Sequence, residues 1–315
     1  MRLLLFGVLA FVLSSCSAYR EHRERQNIVN EKYIHKYGLE VPEQDWSNRG
    51  KHGRVVTELV NGVTVSRNYH AGQLDGDVTY SFPHSEKIEI SQAYVKDRLV
   101  SEKSFYTSGI PSQEVEYLSP TSFRTTTWYQ SGTPRSREEV ESNFLHTAEY
   151  YTINNQVDSR VTNGEGMRVN RDEWGQLISH DSIENGEMVL RKTYHPNSTP
   201  KELIPYRNGK VEGRKRIYLP TGEPKAIEEW VNGFQEGKTA LFENGEIVAE
   251  VSFENNMKSG VEKRYSDGTQ VVEEITWRKD RREGPSYTYL GDRVQVDWYH
   301  EGRRVNKNQY DLLQR

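Results

Sequence analysis

Residues able to do chemistry are sparse along these 315 positions. Cys16 is the only cysteine, so no intramolecular disulfide and no cysteine-based zinc site can form. The nine histidines stand singly, none at a metal-ligand spacing. Glu228-Glu229 and Glu273-Glu274 are adjacent, which in a strand sends the two carboxylates to opposite faces rather than into an acid/base couple. Gly164-Glu165-Gly166 opens like a dinucleotide-binding loop, but Val169 stands where the third glycine belongs, and the run reads as a turn. Neither a nucleophile elbow, nor a phosphate loop, nor a His-Glu-x-x-His motif occurs. Asn197-Ser198-Thr199 has the spacing of a glycosylation sequon. The expectation is a protein with no catalytic residue, cofactor or metal.

Cys16 has a different chemistry open to it. Arg2 and the eleven apolar residues Leu3 to Leu13 have the layout of a secretory signal. Such a run rises only about 16 Å as a helix, against the roughly 30 Å of a bilayer core, so it is not a spanning anchor. It closes on Leu13-Ser14-Ser15-Cys16, which resembles the lipobox of bacterial lipoproteins. The resemblance implies cleavage after Ser15 and acylation of Cys16, with 1–15 as signal peptide and 16–49 as lipidated N-terminus and spacer. Two or three acyl chains would hold the protein to a membrane, each methylene contributing ~0.8 kcal/mol. Neither Ser17 nor Ala18 is the aspartate that retains enteric lipoproteins at the inner membrane, which implies delivery to an outer membrane where the organism has one.

The elements behind this anchor are set by composition and by repetition. Only 34% of residues are hydrophobic, yet there are 19 Tyr, 9 Phe and 6 Trp, so aromatics are expected to carry the burial in a thin structure. The formal charge is −4 and no long basic run occurs, which gives no case for nucleic acid. From Asn208 four units align: NG-KVEG-RKRIY, NG-FQEG-KTALF, NN-MKSG-VEKRY and KD-RREG-PSYTY. Gly209, Gly233, Asn256 and Asp280 are each followed four residues later by Gly213, Gly237, Gly260 or Gly284. Then come a first aromatic (Tyr218, Phe242, Tyr265, Tyr289), a turn glycine, and a second aromatic (Trp230, Phe253, Trp277, Trp298). Earlier starts fall near Gly50, Gly72, Asp97, Pro120, Asn143, Gly164 and Gly186, and a last one at Gly302, spaced 21 to 25 residues. About eleven units of about 23 residues therefore fill 50–306.

This pattern resembles the MORN-like repeat, in the bacterial variant often labelled an antitoxin family of the YwqK type. An exported, lipid-anchored chain is ill placed to neutralise a cytosolic toxin. Within each unit, β-formers alternate between Asn-Gly, Asp-Gly and Thr-Gly turns, predicting two antiparallel strands per unit. The fold class is all-β: an elongated, twisted antiparallel sheet of tandem hairpins roughly 100 Å long, with the aromatics as core and a short N-terminal helix. That helix is placed over Ala18 to Tyr37, stopped by Gly38, and 307–315 is a polar C-terminal tail.

The function expected is a non-enzymatic envelope lipoprotein whose repeats bind a protein partner as a scaffold or adaptor. The alternative is a ligand-binding module for peptidoglycan, glycan or lipid headgroups, which exposed rather than buried aromatic rows would favour. Mass spectrometry of protein from its native membrane checks the anchor. The mature chain is expected to begin at an acylated Cys16; an unmodified thiol there, or a retained 1–15 segment, rules the lipoprotein reading out.

Overall fold

The computed structural model describes residues 27–314, so Cys16 and the signal segment lie outside the described residues. Twenty-eight strands, paired antiparallel in hairpin order, and two short helices make up the described chain. It divides into two compact units, 1–176 and 177–315, taken separately below.

Both units are built from the same two turns in alternation. Two-residue turns with positive φ at both positions recur at Ala71–Gly72, Lys96–Asp97, Ser142–Asn143 and Asn163–Gly164 in the N-terminal unit. In the C-terminal unit they recur at Asn185–Gly186, Asn208–Gly209, Asn232–Gly233, Asn255–Asn256, Lys279–Asp280 and Glu301–Gly302. This is the type I′ geometry, whose twist matches that of the strands it joins. The expected start residues from Gly72 to Gly302 are its second residues, except Pro120. A fixed negative φ bars proline from that turn, and Ser119 pairs with Ser122 around it instead. At the other end of most hairpins a three-residue loop ends in a left-handed residue, as where Gly222 N–H donates to Leu219 O at 2.8 Å and Leu219 N–H donates to Glu223 O at 2.8 Å. The sequon-like Asn197 belongs to such a loop: its Oδ1 accepts from Thr199 N–H at 3.2 Å and its amide donates to Pro220 O at 2.9 Å.

Successive repeats are joined by more than the strand ladder. After the short strand Lys210–Val211 the chain bulges at Glu212 and restarts at Gly213, and the same break falls at Glu236–Gly237 and Ser259–Gly260. A bulge leaves backbone groups unpaired, and the next turn fills them. Gly233 N–H donates to Val211 O at 2.9 Å, Asn256 N–H to Gln235 O at 3.1 Å, Asp280 N–H to Lys258 O at 3.0 Å and Gly302 N–H to Arg282 O at 2.9 Å. At three of these turns an Asp or Asn side chain returns the bond. Oδ1 of Asp97, Asn256 and Asp280 accepts from Leu74, Gln235 and Lys258 N–H, each at 2.7 Å. Glutamates in the bulge hold the first turn residue: Glu212 accepts from Asn232 N–H at 2.7 Å, Glu236 from Asn255 N–H at 2.9 Å and Glu283 from Glu301 N–H at 2.8 Å. Gly166 serves a close approach, since a Cβ there would lie 2.2 Å from Arg160 O. The segment after Gly164 is accordingly a strand, Glu165–Arg171, and not the helix of a nucleotide loop.

Two expectations about the ends are corrected. Ile28–His35, placed within an N-terminal helix, is a strand paired with Gly53–Leu59. The short N-terminal helix is Glu43–Asn48 instead, where Trp46, 3% exposed, packs on Tyr33 and Tyr69 with ring centroids 6.0 and 6.2 Å away. β-branched Ile28, Val29 and Ile34 suit a strand, and a free edge beside Gly53–Leu59 was available to take it. The polar C-terminal segment folds as a helix, Lys307–Leu313, closed by a capping box between Asn306 and Gln309.

In each unit a row of buried side chains falls on one face of the sheet. It includes Val55, Thr57, Val65, Val78, Gln92, Ala148, Tyr150 and Val161 in the N-terminal unit, and Ser179, Asp181, Ile183, Ala226, Thr239, Ala249, Val251, Glu262, Ile275 and Ser286 in the C-terminal unit. Cross-strand register puts them opposite one another, as in Val55–Arg67–Val78–Gln92 and Glu262–Ile275–Ser286.

Asn256 tests the joint between repeats. Asn256→Gly keeps the left-handed turn and removes the Oδ1 acceptor, which is expected to cost about 1 kcal/mol; Asn256→Ala adds the left-handed strain, for about 1 kcal/mol more. Urea unfolding of the two variants beside the native chain gives the comparison, and equal midpoints for all three would show that the joint carries no stability.

Candidate functional site

Register decides where the repeat aromatics point. Ile217 lies opposite Ala226, so Tyr218 faces away from the buried face while Trp230 lies on it. The same counting sends Phe242, Tyr265 and Tyr289 to the open face, opposite Ile247, Val271 and Val294 at the hairpin necks. Phe253 and Trp277 join Trp230 on the buried face, each directly across from a restart glycine: Gly213–Trp230, Gly237–Phe253, Gly260–Trp277. The fourth repeat departs from the expected frame, because Gly284 pairs with Tyr299; Trp298 lies on the open face under Tyr310 of the C-terminal helix, ring centroids 5.1 Å apart. All eight expected core aromatics are half-buried and none is among the fully buried residues. These eight repeat aromatics are therefore corrected from core to flanking positions on both faces, while the core holds aliphatic and polar side chains together with the buried rings of Trp46, Tyr129 and Tyr150.

Both faces are laced with ion pairs across neighbouring strands. On the buried face of the C-terminal unit the Arg191 guanidinium meets fully buried Asp181 through two bonds of 2.9 and 2.7 Å. Lys215 sits between Glu202 and Glu228 at 3.1 and 3.6 Å, and Arg264 between Glu262 and Glu273 at 2.9 and 3.1 Å. Glu229 and Glu274, the neighbours of Glu228 and Glu273, pair on the open face with Arg214 and Lys263. These carboxylates are thus divided between faces and matched to bases, which leaves none of the two pairs as an acid/base couple. Cations also cover the rings: Lys258 lies 4.6 Å from the Trp277 centroid and Lys215 5.7 Å from that of Trp230. Burial works to raise the Glu262 pKa, but the bonds from Arg264 and Lys258 outweigh it and hold the carboxyl below its ordinary value.

Three of the nine histidines do come together. The expectation of singly scattered histidines is corrected at a shallow hollow in the N-terminal unit that His35, His52 and His70 line with Lys36, Arg54 and Asp75. Spacings of 17 and 18 residues bring each chain segment back to the same strand end, a period invisible to a search for local ligand motifs. The His52 and His70 ring centroids are 4.8 Å apart, and Ala71 N–H donates to His52 Nδ1 at 3.2 Å. Desolvation lowers the His52 pKa, and the neighbouring His70, Lys36 and His35 lower it further. Among the described residues no three His, Cys, Asp or Glu side chains are arranged to hold a metal ion. The bulge glutamates and the tyrosines that cross between repeats were not singled out by the sequence reading. Tyr106 Oη donates to Trp128 O at 2.9 Å and Tyr129 Oη to Tyr151 O at 2.6 Å. A signal existed for the former, as Glu precedes Gly in three of the four aligned units.

The signs of these shifts fix two pH effects. His52 binds its proton less readily folded than unfolded, so its share of stability is present above about pH 6.5 and lost as pH falls. Glu262, depressed in the fold, likewise stabilises above its unfolded value and less in acid. A proton titration followed by NMR is expected to place the His52 midpoint below that of free histidine, and His52→Asn is expected to flatten the stability profile between about pH 5 and 7. A His52 midpoint above the free value would contradict the electrostatics described.

No protein-family profile matches the chain, and no curated protein sequence does. Among solved structures it is similar to the TcdB2-TccC3-TEV protein at 10% identity and TM-score 0.16, over 90% of this chain and 21% of that one, so it spans about a fifth of that chain's length. It is also similar to a porin-like protein from Bacteroides uniformis at 10% identity and TM-score 0.16, over 87% of this chain and 91% of that one. Scores this low lie beneath the level at which two chains share a fold.

Proposed function

We propose that this protein is a non-enzymatic lipoprotein of the cell envelope, held by acyl chains on Cys16, whose MORN-like repeats serve as a scaffold or adaptor for another envelope protein. The observation that carries the reading is the recurrence of one turn geometry, ten times over, at the spacing of the sequence repeat. Arrays of this kind present the same group again and again along one surface, which suits a partner bound at several points. The charge arrangement supports a binding role without turnover, because the carboxylates Asp181, Glu228, Glu262 and Glu273 are each matched to a base. The ring arrangement speaks for protein contacts over glycan stacking: the buried-face rings are half-covered, and Trp230 and Trp277 carry lysines on their faces. In a Gram-negative organism the anchor would sit in the outer membrane.

Crosslinking in intact cells, followed by affinity capture and mass spectrometry, tests this against a Cys16→Ala form. The expected result is one recurrent envelope protein joined at several positions within 50–306 and lost with the anchor. Recovery of cell-wall fragments or lipid with no recurrent protein would replace the scaffold with a ligand-binding module.

A further inference from the structure

The last full strand, Arg293–His300, has an edge that is only half used. Arg281–Leu290 pairs along one side of it, but on the other side Arg303–Val305 reaches only Trp298, Tyr299 and His300. Among the described residues nothing pairs with the outer edge of Arg293 to Asp297, and Val294 and Val296 there are 53% and 42% exposed. Unpaired strand edges of this kind are templates for another strand.

Two turns independently fix which backbone groups face outward. Glu301–Gly302 is a two-residue turn, so its flanking residues His300 and Arg303 exchange backbone bonds, and by alternation Trp298, Val296 and Val294 aim theirs toward the outer edge. At the other end Leu290 and Arg293 flank the two-residue turn Gly291–Asp292, which aims Arg293, Gln295 and Asp297 inward. The two derivations agree.

The five residues read Arg-Val-Gln-Val-Asp, which is self-complementary when reversed. We propose that this edge pairs with the same edge of a second copy of the chain, antiparallel and about a two-fold axis through Gln295. In that register Val294 meets the partner copy's Val296 and both supply outward-facing N–H and C=O groups, as an antiparallel ladder demands. Arg293 meets the partner copy's Asp297 on the buried-face side, twice by symmetry, at positions where cross-strand side chains lie closest. Asp297 has room for a second cation: it already accepts from the Arg304 guanidinium and from Gln295 Nε2, and remains only partly buried. Tyr310 of the helix Lys307–Leu313 packs on Trp298 and His300, beyond the end of this slot.

Sedimentation of the full chain carrying Cys16→Ala is expected to show a concentration-dependent dimer by about 1 mM, given so short an interface. Arg293→Asp or Asp297→Arg alone places like charges opposite one another and is expected to weaken association about tenfold, while the double exchange restores it. Gln295→Cys lies on the axis, where cross-strand Cα atoms stand about 4.5 Å apart, and is expected to form an intermolecular disulfide that Thr288→Cys does not. A monomer at that concentration, open-ended growth beyond a dimer, or a double exchange that fails to restore association while the fold's circular dichroism is intact overturns the proposal.

Discussion

Each repeat depends on a bond it cannot make alone. The bulge at Glu212, Glu236 or Ser259 frees a carbonyl one residue upstream, and only the turn of the following repeat supplies the N–H to meet it. An unmet backbone group in a partly buried site costs about 1–3 kcal/mol, so the bulge and the next turn are linked in energy as well as in space. The consequence runs through the whole pattern. Glycine, asparagine or aspartate must sit at the turn to reach left-handed φ, glutamate or serine sits in the bulge, and the spacing between them is held near 23 residues.

The legible part of the fold is the part that rests on backbone conformation. Left-handed turn residues announce themselves by type, and the alternating β-formers between them fix the strands. What register decides was not legible. The aromatics at Tyr218 and Trp230 keep one spacing in sequence yet take opposite faces, because the tight loop between them inserts a residue into one strand. Trp298 looked equivalent to Trp277, but the last hairpin is two residues shorter between paired positions, and Trp298 falls one short of Tyr299, the residue opposite Gly284. Ile28–His35 misled through its Arg, Glu and Gln neighbours; its strand comes from pairing with Gly53–Leu59, a tertiary contact that outweighs helical propensity. The capping box of Asn306 and Gln309 is legible in the sequence, as an Asn three residues ahead of a Gln.

Charge plays an unusual part in a sheet this poor in apolar residues. Glu262 and Asp181 take positions that an aliphatic side chain would normally fill, and each is held by a base from a neighbouring strand or from its own. Buried pairs of this kind contribute little net stability, but they are specific about register: a slip by one residue would send every carboxylate to the wrong face and leave each base unmatched. In a tandem array, where each hairpin resembles the next, that specificity separates the native neighbour from a near copy of it.

The direction of the joint between repeats has a further consequence. In each of these backbone joints the N–H comes from the later repeat and the carbonyl from the earlier one, so the gap that a repeat leaves is closed by its successor. A chain made N-terminus first therefore meets its folding instructions in the order of its synthesis. Each new hairpin docks on a template already in place and closes the gap that template left, and assembly proceeds by local steps without the long-range loop closures that slow other β proteins.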